Sequence, residues 1–196
     1  MTAHENFDAV LAAARDGHAD ALRALWTWYA PSVAAYAGRK GSREPEELTS
    51  DVFLAVLTGL ATFDGDESGF RALVFTIAHR RVVDELRHRY QRGDPVPLPR
   101  DGDPAVAAAP SAEDAALDRW GSVRARELLQ GLPPEQRDVL VLRILGDLSV
   151  EQVAGVVGKS VGAVRSLQAR GLARLRRTSP VQPTRGGGPS TMWGMR

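Results

Sequence analysis

The stretch "SVEQVAGVVGKSVGAVRSLQARGLARLRR", Ser149 to Arg177, decides the fold. Ser149 followed three residues later by Gln152 is a capping box, in which each side chain satisfies a backbone N–H at a helix start. Val150, Val153, Ala154 and Val157 give that helix an apolar face. Gly158 falls where the chain must turn, and glycine accepts the positive φ that a sharp turn needs. Ser160 can cap a second helix, which packs through Val161, Val164, Leu172 and Leu175. A helix-turn-helix asks for a small residue where its helices touch, a turn glycine four residues on, and an apolar residue six beyond that. Ala154, Gly158 and Val164 meet all three conditions. In such a unit the N-terminal part of the second helix faces base edges in the major groove. Lys159, Ser160, Gly162, Ala163, Arg165, Ser166, Ala169 and Arg170 occupy that position. Arginine there can pair bidentately with guanine or neutralise a phosphate.

Working outward, "LPPEQRDVLVLRILGDLS" supplies the supporting helix. Pro133 and Pro134 mark its start, and Val139, Leu140, Leu142 and Leu145 form its core stripe. Residues 7–90 read as helical throughout, with Pro31 in the first turn of a new helix. "PEELTSDVFLAVLTGL" sets Leu48, Val52, Ala55, Val56 and Leu60 on one stripe, behind an acidic first turn. "TFDGDESG" is a turn-rich loop. "FRALVFTIAHRRVVDELRHRY" is helical again, with Phe70, Leu73, Val74, Ile77, Ala78, Val82 and Leu86 on a common face. From Gln91 to Ser111 the composition shifts to prolines (Pro95, Pro97, Pro99, Pro104, Pro110), small residues and acids. Such a segment has too few apolar anchors to pack and acts as a flexible linker. The tail after Arg177, rich in Pro, Gly and Ser, reads as disordered. The predicted fold is all-α: two small helical bundles, residues 1–90 and 112–177, joined by a Pro-rich linker at 91–111 and followed by a tail at 178–196.

Composition narrows the function. The 196 residues contain no cysteine, which excludes disulfides, thiolate catalysis and Cys-ligated metal. The four histidines are scattered, so no metal or cofactor is expected, and no nucleophile–base pair or phosphate loop points to an enzyme. No apolar run reaches transmembrane length and the N-terminus lacks a signal-peptide pattern, so no membrane insertion is expected and the predicted location is the cytoplasm. The net charge is only +1, but the charge is unevenly distributed. From Lys159 onward there are eight basic residues and no acid, and Arg80 to Arg92 holds five arginines. Two basic patches separated by acidic stretches predict two anion-facing surfaces.

Together, "LPPEQRDVLVLRILGDLSVEQVAGVVGKSVGAVRSLQARGLARLRR" and "PEELTSDVFLAVLTGLATFDGDESGFRALVFTIAHRRVVDELRHR" resemble regions 4 and 2 of bacterial RNA polymerase sigma factors of the extracytoplasmic-function (ECF) type, in the sigma-70 family. The resemblance covers about residues 7–177. It implies a non-catalytic subunit that binds core RNA polymerase, at the β′ clamp and β flap, and directs initiation at promoter DNA through the −10 and −35 elements. It places core-polymerase binding on Glu46, Glu47, Leu48, Asp51 and Val52. An acidic helix end beside apolar residues suits a basic partner helix. The loop residues Phe63, Asp64, Gly65, Asp66 and Ser68 align with the family's loop that accepts a base flipped from the −10 element. His79, Arg80, Arg81, Asp84, Arg87 and Arg89 are the −10 candidates on the following helix, with Asp84 able instead to support Arg80, Arg81 or Arg87. Lys159, Ser160, Ala163, Arg165, Ser166, Ala169 and Arg170 are the −35 candidates. Family members are often held inactive by an anti-sigma factor that clamps both domains, so such a regulator is a candidate partner.

The family pattern lapses at Ser50, Leu73, Arg80 and within "LQARG", Leu167 to Gly171. Leu73 is compatible with the fold, and the departures at Arg80 and Ala169 bear on the promoter sequence that is read, not on the class of activity. The alternative is a stand-alone helix-turn-helix regulator built on residues 132–177, which leaves the match at residues 45–89 without a role.

Overall fold

The computed structural model describes residue 4, residues 6–93 and residues 128–178. The linker beyond Gly93, the start of the second bundle and the tail beyond Thr178 lie outside the described residues.

Helix α1, Phe7–Arg15, buries Phe7, Leu11 and Ala14, one residue per turn on a single side. Helix α2, Ala19–Lys40, runs unbroken through Pro31. Here the structure departs from the expected helix start at Pro31. The ring lies on the exposed side, while Tyr29, Ala30, Val33 and Tyr36 on either side of it are buried. An interior proline costs about 3 kcal/mol. Four anchored core residues, each worth about 1.5–3 kcal/mol for the larger side chains, offset it. Helix α3, Pro45–Gly59, starts with proline at its first turn and buries Leu48, Thr49, Val52, Phe53 and Val56. A 3-10 turn, Leu60–Thr62, leads into a loop and then helix α4, Glu67–Gln91. Asp66 caps α4 by accepting the Gly69 N–H at 2.7 Å.

In the second bundle, residues 128–130 are helical. Helix α5, Pro134–Ile144, then buries Val139, Leu140, Val141 and Leu142. Arg137 donates to the carbonyls of Leu129 at 3.1 Å, Gln130 at 2.7 Å and Leu132 at 3.0 Å, fastening the turn that precedes α5. Helix α6, Val150–Val157, and helix α7, Val161–Thr178, form the helix-turn-helix. Both hydrogen bonds of the Ser149–Gln152 capping box are present, at 2.8 and 3.1 Å. Gly158 makes the turn with φ 66°. The buried residues are Val153, Ala154 and Val156 on α6 and Val164, Leu167 and Gly171 on α7. Val157, Val161, Leu172 and Leu175, expected in the core, are only half-buried.

Helix α4 packs on both bundles. One stripe, Phe70, Val74, Ala78 and Val82, faces the first bundle, where Phe70 meets Tyr29 and Phe7 at ring separations of 5.4 and 5.6 Å. Arg71 and Phe75 are buried as well. Arg71 donates to Asp147 at 2.7 Å, and Phe75 lies against Gly146, both on the turn between α5 and α6. Lys40 at the end of α2 reaches Asp138 on α5 at 2.5 Å. The apolar core is therefore one continuous cluster that includes residues of both bundles.

Gly146, on the turn between α5 and α6, has little room for a side chain. A Cβ there would lie 2.6 Å from the Leu142 carbonyl oxygen and 3.2 Å from Leu148, with Phe75 at 3.4 Å. The carbonyl belongs to the backbone and cannot swing aside. Gly146→Ala is expected to destabilise the fold by about 1–3 kcal/mol, measured as a lower urea midpoint. An unchanged midpoint would show that the turn can shift to admit the methyl group.

Candidate nucleic-acid interface

Helix α7 presents a basic, accessible edge because its apolar residues are drawn inward by α5 and α6. Ser160 accepts the Ala163 N–H at 3.2 Å and so caps the helix start. Ser160, Arg165, Ser166, Ala169 and Arg170 are exposed, and Lys159 and Ala163 are half-buried. Two of the cations already have acidic partners. Lys159 Nζ lies 2.8 Å from Glu135, and Arg165 lies 3.3 Å from Glu151. The hydrogen bond from Lys159 holds the Glu135 carboxyl below its ordinary range. Such exposed pairs are weak, so a phosphate can displace either acid.

The loop before α4 is fixed at both ends. Arg15 donates to the carbonyls of Leu60 and Phe63, pinning the entry to α1. Phe63 is half-buried and meets Phe70 edge-on at 5.6 Å. Asp64, Gly65, Asp66 and Ser68 are exposed. Asp66 is the helix cap, and Ser68 already has a partner. Gln152 Nε2 donates to the Ser68 Oγ at 2.8 Å and to its carbonyl at 3.0 Å. Gln152 thus caps α6 with its amide oxygen and holds the loop with its amide nitrogen.

Of the −10 candidates on α4, Arg80, Arg81, Asp84 and Arg87 are exposed. His79 is half-buried and Arg89 is buried, and each is held by a neighbouring helix. His79 Nδ1 is hydrogen-bonded to the Tyr36 hydroxyl at 2.7 Å. Burial, with Lys40 close by, pushes the imidazole below its ordinary pKa, so it is neutral at neutral pH. Arg89, at 2% exposure, donates to the Gly41 carbonyl at 2.8 Å and ties α4 to the end of α2. No ion pair joins Asp84 to Arg80, Arg81 or Arg87 among the described residues. The pairing acid on this stretch is Glu85, which lies 3.7 Å from Arg89 and accepts the Arg43 N–H at 3.0 Å.

Helix α3 carries a different surface. Glu46, Glu47, Ser50 and Asp51 are exposed. Leu48 and Val52, expected beside them, lie in the core, because positions 48, 52 and 56 form the buried stripe of the same helix. The apolar part of the exposed face is Leu54, 68% exposed, with Leu57 and with Trp26, whose ring lies tilted 4.8 Å from Phe53. Leucines out of phase with the core stripe are the sequence signal for this patch.

The Sigma-70 region 2 family pattern matches residues 25–92 and the Sigma-70 region 4 pattern matches residues 122–175. The ECF RNA polymerase sigma factor SigD of Mycobacterium tuberculosis is 35% identical over 179 residues, 88% of this chain and 83% of SigD. ShbA of Streptomyces griseus, also an ECF RNA polymerase sigma factor, is 32% identical over 176 residues, 86% of this chain and 92% of that one. The chain belongs to the ECF group of the sigma-70 family. CnrH, solved in complex with the cytosolic domain of CnrY, superposes with a TM-score of 0.59 at 25% identity, covering 87% of this chain and 94% of that one. The sigma factor RpoE of Bartonella quintana, solved with the anti-sigma factor NepR, shares the fold, with a TM-score of 0.61 at 21% identity, covering 82% and 97% of the two chains.

This sigma factor has one ionic cluster that sequence reasoning missed. Glu67, at the foot of the loop, accepts from the His4 N–H at 2.8 Å, Arg71 at 2.6 Å and the Tyr29 hydroxyl at 3.3 Å. Burial alone would raise its pKa. The hydrogen bonds from His4 and the ion pair with Arg71 outweigh burial and hold the carboxyl below its ordinary 4.5. A lowered carboxyl pKa contributes stability above the ordinary value, and the contribution is lost as pH falls through the lowered one. Glu67→Gln is therefore expected to be less stable than the parent at pH 7, with the gap closing as pH drops below 4.5. Urea unfolding at a series of pH values measures this, and a gap that does not change with pH would remove the ionic role.

Proposed function

We propose that this sigma factor binds core RNA polymerase and directs promoter-specific transcription initiation, reading the −10 element with the first bundle and the −35 element with the second. The observation that carries the reading is the presence, in one chain, of an exposed basic recognition helix in the second bundle and an acidic–apolar docking face on the first. A DNA-binding regulator acting alone has no need of such a face. Catalysis of nucleotide addition belongs to the polymerase, and this chain contributes sequence selection and capture of unpaired bases.

The exposed face Glu46, Glu47, Asp51 and Leu54 is the proposed contact for the β′ clamp, with Leu48 and Val52 holding it from beneath. Acids around an apolar centre attract a basic helix and then desolvate against it. Arg80, Arg81 and Arg87 are proposed to neutralise phosphates next to the −10 loop, and Phe63, Asp64, Gly65, Asp66 and Ser68 to receive the displaced base. Lys159, Ser160, Ala163, Arg165, Ser166, Ala169 and Arg170 are proposed to read the −35 element, in a bundle that also contacts the β flap. An anti-sigma factor is proposed as the regulator, in keeping with the relatives solved as complexes. Among the described residues, no helix is long and apolar enough to cross a membrane.

Reconstituted transcription tests the assignment. Purified chain added to core enzyme is expected to produce run-off transcripts from a subset of genomic promoter fragments. Asp51→Lys combined with Leu54→Ala is expected to weaken core binding by about tenfold or more without changing the thermal melt. Initiation at no fragment, including the chain's own upstream region, overturns the reading.

A further inference from the structure

Residues 63–66, between the 3-10 turn and α4, are neither helix nor strand, so their position is set by what holds their two ends. Both ends are held from one place, the segment that runs from His4 through α1. At the entry, Arg15 in the last turn of α1 donates to the carbonyls of Leu60 and Phe63. At the exit, the His4 backbone N–H donates to one carboxylate oxygen of Glu67 at 2.8 Å, and His4 Nδ1 lies 3.0 Å from the other. Glu67 is the first residue of α4 and directly follows the Asp66 cap, so this grip fixes where the loop ends.

The grip is itself anchored to the first bundle. The His4 ring stacks on Trp28 at 4.0 Å and 16°, and meets the edge of Tyr29 at 5.9 Å. The His4 carbonyl accepts the Phe7 N–H at 3.0 Å, and the Phe7 ring packs against Phe70 of α4 at 5.6 Å. The seam between the segment and the loop is an open cleft, with His4, Asn6, Phe7 and Asp8 on one side and Asp66 and Glu67 on the other. Because that cleft is open, the polar contacts of His4 and Arg15 carry the hold on the loop. These holding residues all precede residues 25–92, the stretch that matches the region 2 pattern, so that pattern does not account for them.

We propose that residues 4–15 are the mount of the −10 loop, with His4 and Arg15 as positioning residues that set its geometry for receiving a displaced base. The proposal rests on the assignment of Phe63 to Ser68 as the base-receiving loop. Neither positioning residue touches DNA; each acts through the backbone or the carboxylate it holds. Ordering a slack loop at the moment of capture costs backbone entropy for every residue fixed. A loop ordered in advance avoids that cost. Discrimination gains as well, because a hydrogen bond to a base edge selects well only when its groups are placed to within about 0.5 Å.

The test is base preference on promoter templates already unpaired across the −10 element, each −10 base being replaced in turn. Initiation is measured with core polymerase and the full-length chain. Asp64→Ala combined with Ser68→Ala marks the loop-read position, as the one where preference for a single base disappears. His4→Ala and Arg15→Met are each expected to lower the preference at that position by about threefold or more, and to leave the preferences at the other positions unchanged. His4→Asn, which keeps a donor near the place of Nδ1, is expected to retain most of the preference. Loss of folded protein lowers initiation on all templates alike and leaves these ratios unmoved. Preference intact in both variants, preference lowered equally at every position, or a His4→Asn variant no better than His4→Ala overturns the mount and leaves the promoter-reading assignment standing. If the parent chain initiates nowhere, or the loop variant erases no preference, the loop assignment itself fails, and the mount with it.

Discussion

The structure depends on one cation held between two acids. Arg71 is 7% exposed and donates to Glu67 on its own helix and to Asp147 on the other bundle. A guanidinium taken out of water without compensation costs several kcal/mol. Glu67 alone offsets part of that cost and is itself held ionised by His4 and by Arg71. Asp147 supplies the remainder from outside. The first bundle is therefore complete in charge only when the second is docked or when another anion takes the place of Asp147. This dependence makes the bundles partners, though each has its own helices and its own share of the core.

Helix α4 carries the consequence through the molecule. Its first face closes the core of the bundle to which it belongs. Its second, at Arg71 and Phe75, receives the turn between α5 and α6. Its outer edge, Arg80, Arg81 and Arg87, is exposed and is the proposed phosphate contact. A helix with three assignments leaves little freedom at any position, and Arg89 shows how the conflict is resolved. It lies in a basic run but is drawn inward to the Gly41 carbonyl, so the run contributes fewer free cations than its composition promises.

How much of this could be read from the sequence follows from the range of each interaction. The outline of the helix-turn-helix was legible, since its capping box, its turn glycine and its spacing from Ala154 to Val164 all lie within a few turns of one another. The acidic start of α3 was legible for the same reason. Pro31 was misplaced because a local rule about proline was outweighed by Tyr29, Val33 and Tyr36 finding partners on other helices. Arg71 and Asp147 were missed because they lie 76 positions apart and neither breaks any local pattern. Phe75 was missed because a single-stripe reading of α4 allows one buried face, and this helix has two. Sequence periodicity reports that a face is apolar; it does not report how many neighbours the helix will meet.

The departures from the family pattern at "LQARG" take on a definite meaning once burial is known. Leu167 is a core residue and Gly171 is buried against Leu140, so two of the deviant positions concern how α7 seats on α5. Only Ala169 and Arg170 in that stretch are fully exposed. On the proposed reading, base discrimination along this part of the helix falls to one methyl group and one guanidinium, a small contact set for a stand-alone reader. It suffices for one half of a tethered pair, because polymerase holds the helix near its site and converts a weak encounter into an intramolecular one. Weak individual contacts are then an advantage. Lys159 and Arg165, parked on Glu135 and Glu151, can exchange an acid for a phosphate at little net cost, and return once the polymerase leaves the promoter.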